Sequence, residues 1–128
     1  MADAPEPQRS CHVLVAESNP DVRAALRLLM ARHPELRVVG EAQNVDELLR
    51  DMQSLQPDIV LLDCELRGFV FGQHFAQLRG RCAVVALSTH EEQRQLALDA
   101  GAAAFVSKTE SPVQLLATLR SLLLAQTA

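Results

Sequence analysis

The sequence predicts an α/β fold, a doubly wound parallel sheet of five strands with a helix after each strand. Three observations carry that expectation. The chain alternates five times between a short apolar run and a longer stretch with apolar residues at helical spacing. Residues 58–63 (DIVLLD) and 83–88 (AVVALS) are apolar on consecutive positions, the mark of strands buried on both faces. Strands buried on both faces need helices on both sides, which βα units supply.

Each element has its own reason. Residues 12–16 (HVLVA) are short and β-branched, so they form a strand. Asn19 and Pro20 then cap and open a helix whose apolar face is Val22, Leu26, Leu29 and Met30, and His33-Pro34 stops it. RVVGEA is the second strand, ending near Glu41 at an edge of the sheet. Asn44 caps the second helix, with Glu47 as capping-box partner and Val45, Leu48, Leu49, Met52 and Leu55 as its stripe. After DIVLLD comes the loop CELRGFVF, then a short helix from Gly72 to about Arg79 with Phe71, Phe75 and Leu78 on one side. AVVALS leads to a helix over EEQRQLALDAG, closed by Gly101. AAFVSK is the fifth strand, and Ser111-Pro112 opens a last helix striped by Leu115, Leu119, Leu122 and Leu123.

The 128 residues suffice for one domain with a real core, and no linker-like stretch divides them. Residues 1–10 (MADAPEPQRS) read as a disordered tail and residues 11–125 as the domain. With no Trp, no Tyr and four Phe, the core must be aliphatic. A net charge of −4 without a Lys/Arg cluster makes this chain alone a poor nucleic-acid binder. No apolar run is long enough to span a membrane and no signal peptide opens the chain, so a cytoplasmic protein is expected. Cys11, Cys64 and Cys82 are odd in number and widely spaced, as expected of free thiols.

In such a sheet ligands bind beyond the carboxyl ends of the strands. The residues expected there are Glu17 at the end of strand one, Asp63 at the end of strand three, Ser88 and Thr89 at the end of strand four, and Lys108 at the end of strand five. One charged residue at a strand end commonly only marks where the chain meets water. Two carboxylates, a hydroxyl and an ammonium on one rim do more. A carboxylate beside a lysine and Mg²⁺ can attack a phosphoryl group, because the cations offset the charge of the transition state. The four histidines show no metal spacing; His90 is read as an exposed residue at a helix start, and Cys64 as a packed thiol facing away from Asp63.

Through VLVAESNPDVR, ELRVVGEAQN, PDIVLLDCELRG, VVALSTH and DAGAAAFVSK, the chain resembles the receiver domain of bacterial two-component response regulators. Within that family it is most similar to the NarL/LuxR-like subgroup, usually fused to a LuxR-type helix-turn-helix. The resemblance covers about residues 11–124. It implies the CheY-like, flavodoxin-like (βα)5 fold with strand order 2-1-3-4-5. It implies that Asp63 is the phospho-acceptor for a histidine kinase, Lys108 the lysine that pairs with the phosphoryl group, and Ser88 the hydroxyl that engages it and moves on activation. Phe105 stands at the aromatic switch position. Glu17, Asp63 and the backbone carbonyl of Glu65 are the implied Mg²⁺ ligands. Such a domain is a signalling switch and not an enzyme. Family members often dimerise or signal through the face of the fourth helix, fifth strand and fifth helix, and meet DNA through a helix-turn-helix domain that this sequence lacks. The sequence leaves open a stand-alone receiver and the front of a longer protein.

Two departures stand out. The family has two adjacent acids after strand one, and the second, a direct Mg²⁺ ligand, is here Ser18. The loop after Asp63 has Arg67 where a proline is common and reaches its next glycine a residue late, across Phe69, Val70 and Phe71. A cis peptide after Lys108, a family feature, is disfavoured at Thr109 by about 3 kcal/mol. These departures keep a second reading beside the phospho-receiver: a phosphorylation-independent binding or dimerisation module, with weakened Mg²⁺ chemistry and FVF either an apolar surface patch or core packing. An unrelated enzyme on the same sheet is disfavoured, since ESNPD is no flavin phosphate loop and the chain has no P-loop and no nucleophile elbow.

Overall fold

The computed structural model describes residues 10–127, and ten elements alternate along it. They are β1 (Cys11–Ala16), α1 (Pro20–Ala31), β2 (Leu36–Ala42), α2 (Val45–Leu55), β3 (Ile59–Asp63), α3 (Phe71–Leu78), β4 (Ala83–Ser88), α4 (Gln93–Ala100), β5 (Ala104–Ser107) and α5 (Pro112–Thr127). All but Ser10 of the expected tail lies outside the described residues.

The strands form one parallel sheet in the order β2-β1-β3-β4-β5. Alternation along each strand sends side chains to two separate cores. Leu14, Val60, Leu62 and Ala86 face one way and pack with Leu48, Phe75, Leu78 and Ala97 of α2, α3 and α4. Val13, Val15, Ile59, Leu61 and Val85 face the other way and pack with Leu26 and Met30 of α1 and Leu115 and Leu119 of α5. Each fully buried leucine contributes about 1.5–3 kcal/mol relative to exposure. The consecutive apolar runs of β3 and β4 are thus the direct trace of a sheet sandwiched between two helix layers.

The helix signals act largely as read. Asn19 Oδ1 accepts from the Asp21 and Val22 amides, and Pro20 opens α1. Asn44 Oδ1 accepts from the Glu47 amide at 2.9 Å. Glu47 reciprocates one residue early, on the Gln43 amide at 3.1 Å. Gly101 closes α4 with φ +115°, a left-handed conformation in which its amide meets the carbonyls of Ala97 and Leu98. Opposite the β1–β2 pairing, Val39 is an extra residue between the partners of Val13 and Leu14. A Cβ on the adjoining Gly40 would lie 2.7 Å from Leu55 Cδ1, so the end of α2 rests on bare backbone.

Several boundaries differ from expectation. α4 starts at Gln93 and not at the glutamates, because residues 91–92 form a turn. α3 starts one residue early, at Phe71. β5 stops at Ser107, which leaves Lys108 on the loop beyond it. α5 runs on to Thr127, past residue 125. Phe69 and Phe71 pack against Phe75 with ring centroids 5.6 and 5.5 Å away, so the FVF insertion is core packing, and only Val70 of the three is exposed.

Candidate functional site

Among the described residues the buried polar side chains are Glu17, Asp63, His74, Ser88 and Ser107. All but His74 stand at the carboxyl ends of strands. Backbone bonds carry the sheet a step past its strands and fix these ends: Glu17 donates its amide to the Ala42 carbonyl at 2.9 Å, and Lys108 donates to the Ser88 carbonyl at 2.8 Å. As a result the residues at the carboxyl ends of β1, β3 and β5 meet. Lys108 Nζ lies 2.6 Å from Glu17 Oε1 and 3.1 Å from Asp63 Oδ1. Each acid also restrains its own loop, Glu17 Oε2 accepting the Asn19 amide and Asp63 Oδ1 the Glu65 amide, both at 3.0 Å.

Burial raises the Glu17 carboxyl above its ordinary value; the Lys108 hydrogen bond opposes the rise and the neighbouring Asp63 adds to it. Burial pulls the Lys108 ammonium down, but the Glu17 hydrogen bond and the Asp63 charge outweigh it, so the net shift is upward. The lysine therefore stays charged and holds two carboxylates that would otherwise repel. Cys64 is buried on the α2–α3 side, and burial, with Asp63 adding, pushes its thiol up to about 12.

Ser18 is not an idle replacement for an acid. Its hydroxyl donates to the Gln43 carbonyl at 3.0 Å and accepts the Arg67 amide at 2.9 Å. It thereby joins the loops after β1, β2 and β3. A carboxylate, being an acceptor only, cannot make both bonds. Arg23 steadies the same loop from α1, its Nη1 donating to the carbonyls of Glu17 and Ser18 at 2.8 and 3.1 Å.

Ser88 and Phe105 stand on the neighbouring strands β4 and β5. The Ser88 hydroxyl, fully buried, donates to Gln93 Oε1 at 2.5 Å and accepts the His90 amide at 2.9 Å. Phe105 is buried, with the Arg94 guanidinium 4.7 Å above its ring. His90 is exposed, as expected, but precedes the helix. Its Nε2 lies 2.8 Å from Glu65 Oε1, so the pair crosses between the β4 and β3 loops. Gln93, Arg94, Arg23 and the His90–Glu65 pair are contributions that residue patterns did not announce. The cis peptide disfavoured at Thr109 is not formed.

For Mg²⁺, Glu17 and Asp63 offer hard carboxylate oxygens, but Glu17 Oε1 and Asp63 Oδ1 both meet the Lys108 ammonium, and among the described residues no group of three or more His, Cys, Asp or Glu side chains is gathered to hold an ion. Mg²⁺ takes few protein carboxylates and keeps several waters, so the two acids suit it in donor type, one acid short of the family pattern. Beside this rim a groove between α1 and α5 is lined mainly by apolar side chains, including Leu26, Leu29, Val106, Pro112 and Leu115, with Lys108 also in its lining.

A five-stranded parallel sheet in this order, with a lysine bridging two acids at its carboxyl rim, defines a receiver-type signalling domain. The response regulator receiver domain family matches residues 13–120, and the chain belongs to that family. It is 32% identical over 117 residues to the nitrate/nitrite response regulator protein NarL of Escherichia coli K12, covering 88% of this chain and 54% of that protein. It is 31% identical over 111 residues to the uncharacterized transcriptional regulatory protein YhcZ of Bacillus subtilis, covering 83% and 52%. The chain thus spans about half the length of these curated relatives. A LuxR-family two-component response regulator from an Aurantimonas species superposes with a TM-score of 0.82 at 27% identity, covering 91% of this chain and 86% of that one. The receiver domain of the putative regulator NarL from Mycobacterium tuberculosis, at 24% identity and covering 88% and 95%, shares the fold with a TM-score of 0.80. These likenesses favour a switching receiver over the phosphorylation-independent module. Receiver domains of this family work with histidine kinases, and none of the described helices is long and apolar enough to cross a membrane.

Proposed function

We propose that Asp63 is the phospho-acceptor of this receiver, with Lys108 and Ser88 as its partners and Phe105 reporting the switch. The observation that carries the reading is the placement of Lys108 Nζ within 3.1 Å of both Asp63 and Glu17, three residues that stand at or just beyond the carboxyl ends of three different strands. A carboxylate oxygen of Asp63 attacks the phosphorus of a phosphohistidine on the kinase. The P–N bond breaks, its electrons return to the imidazole, and an acyl phosphate forms on Asp63. The Lys108 ammonium offsets the charge of the transferring group. Glu17 keeps that ammonium charged and in place. Mg²⁺ held by Glu17, Asp63 and the Glu65 carbonyl would further offset charge on the phosphoryl oxygens, at lower affinity than a site with both acids. Ser88 then hydrogen-bonds the new phosphoryl oxygens. As partner of a sensor kinase the domain works in the cytoplasm, and its output passes to a partner, a second copy or a DNA-binding domain.

The test is intact mass after incubation with acetyl phosphate, with and without Mg²⁺, on this protein and on Asp63→Asn. One phosphoryl adduct that requires both Mg²⁺ and Asp63 is expected. An adduct of equal yield on Asp63→Asn overturns the assignment. No adduct at saturating Mg²⁺ returns the phosphorylation-independent module.

A further inference from the structure

The Ser88 hydroxyl has a single proton, and in this structure that proton is committed. It is donated to Gln93 Oε1 at 2.5 Å, while the oxygen accepts the His90 amide. A hydroxyl offers one donor, so Ser88 cannot donate to Gln93 and to a phosphoryl oxygen at once. The adjacent residue engages the other half of the same device. Arg94 lays its guanidinium over the Phe105 ring at 4.7 Å and donates through Nη1 to the Phe105 carbonyl at 3.3 Å. Arg94 is itself held by Glu91 at 2.5 Å and faces Glu110 at 3.7 Å, on the loop between β5 and α5. Gln93 and Arg94 are the first two residues of α4, and the Glu92 cap position before them makes no side-chain capping bond. The start of that turn is held by the Gln93 and Arg94 amides on the carbonyls of His90 and Glu91, at 3.0 and 3.1 Å, and by what the Gln93 and Arg94 side chains grip.

We infer that the first turn of α4 is a two-residue latch on the resting state, with Gln93 and Arg94 as positioning residues that hold Ser88 and Phe105 respectively. This rests on the reading of Ser88 and Phe105 as the switch pair, and it adds what the switch must break. Engagement of a phosphoryl oxygen by Ser88 releases Gln93. Release of Gln93 loosens the turn that keeps Arg94 on Phe105. The strength of the latch sets how far the unphosphorylated domain rests in its inactive form.

With only four phenylalanines in the chain, fluorophenylalanine labelling gives four ¹⁹F signals, and Phe105→Leu assigns the one that matters. Parent, Gln93→Ala, Gln93→Glu and Arg94→Ala are compared, first without ligand. The Phe105 signal should shift or broaden in Gln93→Ala and in Arg94→Ala. It should stay near the parent position in Gln93→Glu, which keeps an acceptor for Ser88. The second arm titrates beryllofluoride with Mg²⁺, a phosphoryl mimic. Half-saturation in Gln93→Ala should fall about fivefold, the equivalent of one neutral hydrogen bond no longer to be broken. An unchanged Phe105 signal in both alanine variants overturns the latch, as does weaker or equal beryllofluoride binding by Gln93→Ala. If the parent shows no beryllofluoride response that depends on Asp63, the phospho-acceptor assignment fails, and the ligand-free spectra still decide the latch.

Discussion

Lys108 Nζ and Glu17 Oε1 stand 2.6 Å apart across 91 residues of sequence, one beyond the fifth strand and the other at the tip of the first. Glu17 is only 2% exposed, so its charge depends on this partner. Removing the ammonium in Lys108→Met strands a buried carboxylate, at about 2 kcal/mol after discount for the partial exposure of Lys108. Urea midpoints of the two proteins at pH 7 measure it. The folded value of Lys108 is raised above its ordinary 10.5, so its stabilisation is complete below that pH and is lost as pH rises through the higher folded value. The gap between parent and Lys108→Met should therefore hold through neutral pH and close in strong alkali.

Glu17→Gln should act in the opposite direction. The Glu17 carboxyl is raised from 4.5 chiefly by burial, so its contribution to stability is fully present below 4.5 and is lost as pH rises through the folded value. The glutamine variant should match the parent near pH 4 and exceed it at pH 7. Thermal melts across that range decide it; a variant less stable than the parent at pH 7 contradicts the sign.

Ser18→Ala removes the hydroxyl shared by Gln43 and Arg67 and should cost about 1 kcal/mol. The local readout is hydrogen exchange at the Arg67 amide, which should accelerate in Ser18→Ala and remain slow in Ser18→Thr, where the hydroxyl is kept.

The thiols should be sluggish in the native state. Burial pushes Cys64 to about 12 and Cys11 and Cys82 to about 11, the Asp58 charge also raising Cys11. At pH 8 about one Cys82 thiol in a thousand would be thiolate. Alkylation followed by mass should add nothing to the folded protein in the time that modifies all three thiols in urea. Rapid single alkylation of the folded chain would show that one of them opens locally.

Gly101→Ala places a side chain at φ +115° with its Cβ 2.7 Å from Arg79 Cδ. The Arg79 stem can swing away, but the left-handed backbone remains, at about 1 kcal/mol or more. A lowered melting temperature with an unchanged Asp63 adduct yield is the expected pair of results.

The site was legible in proportion to how closely it follows strand ends. Asp63 and Glu17 end apolar runs, and Lys108 follows one, so topology alone brings them to a common rim. The Ser18 bonds to Gln43 and Arg67 join residues 25 and 49 apart through three irregular loops. No periodicity encodes how such loops meet. The same reason hid His90 beside Glu65 and Gln93 beneath Ser88.

By itself, the sequence determined the alternation of strands and helices, the two-sided burial of β3 and β4, the caps at Asn19, Asn44 and Gly101, and the rim on which the charged residues stand. These are local matters of period, propensity and backbone freedom. The tertiary structure decided what the polar groups do there. It turned the missing acid into a hydroxyl bridge between three loops, sent the FVF insertion into the core, and placed Gln93 and Arg94 on Ser88 and Phe105. The physical reason is directionality. Burial is read along the chain one residue at a time, but a hydrogen bond needs a donor and an acceptor brought within about 3 Å at a fitting angle, and only the folded loops bring them there.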